Sequence, residues 1–91
     1  MGTDHGWGGN HVLLGGGVNG KRILGQYPSS LDEDSDVNIG RGRVLPTTSW
    51  EAVWHGITQW MDVDSNQLEA VLPNKINFPD ACLFNKGQMF D

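Results

Sequence analysis

Ninety-one residues allow one small domain with a modest core. Eleven acidic residues against six basic ones give a formal net charge of -5, which argues against nucleic acid or an anionic membrane as partner. No apolar run approaches the ~20 residues that span a bilayer, so no transmembrane segment is expected.

The chain opens on Met1-Gly2-Thr3-Asp4-His5-Gly6-Trp7-Gly8-Gly9-Asn10-His11. An Asp-His pair and a second histidine six residues on lie in a glycine-rich stretch. Carboxylate and imidazole suit Zn²⁺ or Mn²⁺, and glycine lets backbone close tightly around an ion. Asp4, His5 and His11 are therefore candidate metal ligands.

Nine of the thirteen glycines precede position 26, which marks a region of loops and turns. Within it, His11-Val12-Leu13-Leu14 and the run Lys21 to Tyr27 read as two short strands. Asn19-Gly20 between them tolerates the positive φ of a type I′ turn, so a β-hairpin is expected over residues 11–27. Gly15-Gly16-Gly17 interrupts the first strand and suits a bulge or a close backbone approach. The same stretch, Gly15 to Gly20, fits G-x-G-x-x-G, but the following residues predict a strand rather than the helix a pyrophosphate would need.

Pro28 to Gly42 is polar and acidic and reads as a solvated loop. Asp32, Asp34 and Asp36 alternate there, but the central glycine and closing glutamate of an EF-hand are missing. Arg41 to Pro46 follows as a short strand or extended segment. Thr48-Ser49-Trp50-Glu51 then predicts a capping box with Thr48 as the cap, opening a helix near residues 49–61. Trp50, Val53, Trp54, Ile57 and Trp60 recur at helical spacing and are expected to form the main buried face, packed on Leu13, Ile23 and Leu45. His55 falls off that stripe and reads as an exposed or hydrogen-bonded histidine. Asp64, with Gln67 three residues on, opens a shorter helix near 65–72 that Pro73 ends. After Asn74 the apolar residues have no period, which predicts an irregular strap. Cys82, the one cysteine, has no internal disulfide partner and reads as a buried or unreactive thiol. The expected fold class is α+β: a glycine-rich β-hairpin, one amphipathic helix, a short second helix and an irregular tail.

Gly2-Thr3-Asp4-His5-Gly6-Trp7-Gly8, the run His11 to Gly20, Ile23-x-Gly25-x-Tyr27-Pro28 and Gly40-Arg41-Gly42-Arg43-x-x-Pro46-Thr47-Thr48-Ser49 resemble the C-terminal end of the domain-of-unknown-function-1501 proteins. Leu72-Pro73-Asn74 and Asn77-Phe78 extend the resemblance over most of the chain. It implies a sulfatase-like or alkaline-phosphatase-like α/β fold in proteins several times longer and commonly exported, with residues 1–91 as one partial domain. In that superfamily an Asp-His pair near the C-terminus commonly binds one ion of a two-metal site, and a later histidine often binds the other. Carried over, Asp4 and His5 share one metal, and His11 is the weaker match.

Two-metal hydrolysis clamps the reacting oxygens between ions about 4 Å apart, and three ligands on one loop cannot hold both. The nucleophilic hydroxyl and the remaining ligands would come from upstream strands in such enzymes. The motif begins at the second residue, and no charged and apolar leader of a signal peptide precedes it. Two function classes are therefore expected: a metal-binding C-terminal segment of a phosphatase- or sulfatase-like hydrolase, inactive in isolation, or a non-catalytic structural or interaction subunit of a larger assembly. Expected partners are an upstream segment or other protein subunits.

Overall fold

The computed structural model of the chain describes residues 9–41 and 43–91. These residues fall into two units: residues 9–12 with Leu24–Thr47, and Leu13–Ile23 with Thr48–Asp91.

The first unit is made of turns. Its acidic stretch is locally ordered: Asp32 N–H donates to Ser30 Oγ at 3.0 Å, Ser35 N–H to Asp32 O at 3.1 Å and Asn38 N–H to Ser35 O at 3.1 Å. Small hydroxyl and amide side chains offer the backbone such local partners in place of a ladder. Asn38 and Val44 form an isolated antiparallel bridge, flanked by Ile39 N–H to Arg43 O at 2.9 Å and Leu45 N–H to Val37 O at 2.8 Å. Gly40 at φ 95° and Arg41 at φ 59° turn the chain back, and the Asn38 side chain accepts from Gly40 N–H at 2.7 Å. Of the short strand or extended segment expected over Arg41 to Pro46, Val44 alone is a bridging residue among those described. Tyr27 donates to Asn10 Oδ1, and Thr47 to the Gln26 carbonyl.

The second unit is helical. Helix α1 spans Trp50–Trp60, and its cap is Ser49, whose Oγ accepts from Ala52 N–H at 3.2 Å. The cap stands one residue later than the Thr48–Glu51 box predicts, so Glu51 sits in the first turn and complements the helix dipole instead. At the far end Asp62 takes a left-handed φ of 59°, while Asp62 N–H reaches Gln59 O at 3.2 Å and Val63 N–H reaches Thr58 O at 3.0 Å. This is the Schellman pattern that satisfies the last carbonyls of a helix. Helix α2 spans Ser65–Val71 with Asp64 at its cap position. Leu72, with φ -124° and ψ 72°, leaves the helical region as a residue before proline must. Pro73 then opens a 3₁₀ turn, Pro73–Asn77, and a second follows at Asp80–Cys82. Helix α3, Lys86–Met89, has a complete capping box: Asn85 Oδ1 accepts from Gln88 N–H at 3.0 Å and Gln88 Oε1 from Asn85 N–H at 2.8 Å.

The expected fold class and hairpin are corrected. The α+β class fails because the described residues contain no strand beyond two isolated bridges. The hairpin over 11–27 is absent: Lys21, at φ 60°, takes the left-handed conformation that Asn19-Gly20 was expected to supply. Val18 bridges instead to Phe90, with Asn19 N–H to Met89 O and Asp91 N–H to Gly17 O, both at 2.9 Å. Val12, Leu14 and Ile23 remain 81–86% exposed, so the would-be strands have no apolar face to bury, and a lone ribbon without one is marginal in water.

The tryptophan stripe is likewise not the buried face. Trp50, Trp54 and Trp60 are about half exposed, and Leu13, Ile23 and Leu45 are exposed as well. What α1 buries is Ala52, Gly56 and Thr58. Leu83, Met89 and Phe90 complete the buried set of this unit. The C-terminal tail is irregular, as expected, broken into short 3₁₀ turns and one four-residue helix, and it packs as the other half of this unit's core. Small residues on α1 let their backbone come close, which a row of indoles would prevent. Cys82 is free and exposed rather than buried.

Candidate metal site

Asp4 and His5 lie outside the described residues. His11 is described: it is exposed and belongs to a stretch without regular structure. Among the described residues no three His, Cys, Asp or Glu side chains gather as a metal site. Asp32, Asp34 and Asp36, whose alternation suggested calcium, are all turn residues of the first unit.

His55 has a structural task. Its Nδ1 lies 2.7 Å from the Phe84 carbonyl oxygen. A carbonyl can only accept, so Nδ1 carries the proton in this contact. One turn away, Phe84 N–H donates to Ala52 O at 3.1 Å, and Lys86 N–H donates to Gln59 Oε1 at 2.8 Å. His55, Ala52 and Gln59 thus fasten the start of the C-terminal segment along one side of α1. The Thr58 hydroxyl donates to His55 O at 2.8 Å and is satisfied in its burial. Ser49 is consumed as a cap. These two hydroxyls have structural partners rather than a catalytic base.

Gly15 to Gly20 leads into neither a helix nor the expected strand. Its first residues wall a shallow apolar groove of about 280 Å³ instead, with Leu13, Leu14, Val18, Ile57, Trp60 and Phe90 around it. Trp60 stacks on Phe90 there, ring centroids 4.8 Å apart and planes 16° off parallel. Trp50 and Trp54 stack on each other at 5.8 Å. The feature that the sequence pattern did not reveal is the tail. Asn85-x-x-Gln88 has the spacing of a capping box, and that signal could have announced α3. Arg22 adds a bond from its guanidinium to the Gln88 carbonyl at 3.2 Å, tying the glycine-rich segment to α3.

Compared with known proteins, the chain matches no family profile, no curated protein and no solved structure. Among the described residues no helix is long and apolar enough to cross a membrane.

Proposed function

We propose that the chain is the metal-binding C-terminal segment of a phosphatase- or sulfatase-like hydrolase, inactive by itself. The observation that carries the reading is the Asp4-His5 pair with His11 in glycine-rich sequence, set in a run that resembles the C-terminal end of the domain-of-unknown-function-1501 proteins. The donor set suits Zn²⁺ or Mn²⁺. Asp4 and His5 would hold one ion, with His11 available to the second. Bound metal would polarise the ester oxygen and stabilise the charge that develops there. In the enzymes this run resembles, the reacting hydroxyl and the remaining ligands come from upstream strands, so other polypeptide would supply them here.

Surface composition supports a segment that works inside a larger assembly. Among the described residues four apolar side chains are buried, against fifteen large apolar ones exposed. Such an imbalance is unusual for a free-standing protein and marks surface that another element covers. The same observation favours the second reading, a non-catalytic subunit, if metal binding fails.

Calorimetric titration with ZnCl₂ or MnCl₂, made on the full gene product that carries these residues, tests the proposal. The parent should bind, and the Asp4→Ala and His5→Ala variants should lose at least tenfold in affinity. Equal affinity of parent and variants would overturn the ligand assignment and leave the subunit reading.

A further inference from the structure

The Met89 sulfur occupies the position where a side chain on residue 56 would begin. A Cβ built on Gly56 would collide with Met89 Sδ, with Met89 Cγ at 3.3 Å and the Asn85 carbonyl oxygen at 3.4 Å. Met89 is 4% exposed, and two backbone bonds around it seat Gly17–Asn19 on Met89–Asp91. Phe90, next in sequence, holds Trp60. The Met89 thioether thus packs on α1 at Gly56, while the backbone of the same residue holds the glycine-rich segment.

We propose that Met89 is a redox-sensitive latch for the tail, opened by peroxide. The sulfur lone pair attacks one oxygen of hydrogen peroxide. An S–O bond forms, the O–O bond breaks, and the departing hydroxide gains a proton to become water. The thioether is oxidised to the sulfoxide as the peroxide is reduced. The added oxygen is a strong acceptor, and backbone donors of the docked segment are already engaged: Phe84 N–H with Ala52 O, Lys86 N–H with Gln59 Oε1, and Gln88 N–H with Asn85 Oδ1. The Asn85 carbonyl beside the sulfur repels it. Room is also lacking, since the notch exists only because residue 56 has no side chain. Peroxide reaches the sulfur through local opening of the Lys86–Asp91 segment, which leaves α1 intact.

The test is a peroxide titration of the full chain, with mass spectrometry reporting each methionine and hydrogen exchange reporting the Asn19 and Asp91 amides. Met61, 66% exposed, is the internal control. Oxidation of Met89 should cost both amides at least tenfold in protection, and methionine sulfoxide reductases should restore it. Met89→Leu should keep its protection in peroxide although Met61 is oxidised. Should that variant loosen the tail by itself, Met61→Leu leaves the seat untouched, and mass spectrometry then separates Met89 from Met1. Full protection in molecules carrying Met89 sulfoxide would overturn the proposal. So would a Met89 that stays unoxidised in the folded chain after Met61 is fully converted.

Discussion

At Gly56 the absence of a side chain decides how α1 packs. Glycine inside a helix ordinarily costs about 1 kcal/mol against alanine. That cost is offset here by the seat it opens for Met89 and the Asn85 carbonyl. Gly56→Ala should therefore destabilise the chain, by about 1–3 kcal/mol in urea unfolding, because overpacking outweighs the gain in propensity. A stabilised variant would show that the tail does not sit on this face. Asp62 presents the opposite case: it holds a left-handed φ that glycine adopts freely, and the helix ends there through a backbone pattern alone. Both positions mark how far the sequence is legible at this scale. Ser49 is a good cap by type, and its neighbourhood announces the start of α1 to within one residue. Nothing in the residue type of Gly56 reveals that Met89, 33 positions later, fills its place, because the pairing is tertiary.

Elements are legible in proportion to how local their causes are. Helices α1 and α2 arise from caps, period and a terminating proline, all within a few residues of one another, and both lie where those signals place them. The hairpin depends on a turn whose strands must find a face to bury, and Gly17–Asn19 finds Met89–Asp91 instead. A glycine run without apolar alternation specifies register weakly, so the better partner wins. The buried side of α1 is misread because period identifies an apolar stripe but not the neighbour that covers it. Here Met89 of that neighbour comes to Gly56 on the small-residue side, and Phe90 stacks on Trp60. Helix α3 is only four residues long, and isolated helices of that length do not persist in water. Its capping box and its docking must hold it. Asn85→Ala should cost about 1 kcal/mol and raise amide exchange at Gln88 and Asn19 together. Faster exchange at Gln88 alone would show that the tail stays docked without its cap.

At the scale of the molecule, four apolar side chains are buried among the described residues and fifteen large apolar ones are exposed, which supports the proposal of a segment covered by other polypeptide. The candidate ligands are readable from sequence because Asp and His carry their chemistry in their side chains. Their spatial arrangement is not, since convergence on an ion depends on backbone geometry that glycine leaves open. Of the three, Asp4 and His5 lie outside the described residues, and His11 is exposed. The central claim is thus a statement about coordination, and zinc-edge X-ray absorption of the zinc-loaded gene product tests it most directly. The account predicts nitrogen and oxygen ligands at about 2.0–2.2 Å with the outer-shell scattering of imidazole, weakened in His5→Ala. A spectrum of water ligands alone, identical in parent and variant, would contradict it.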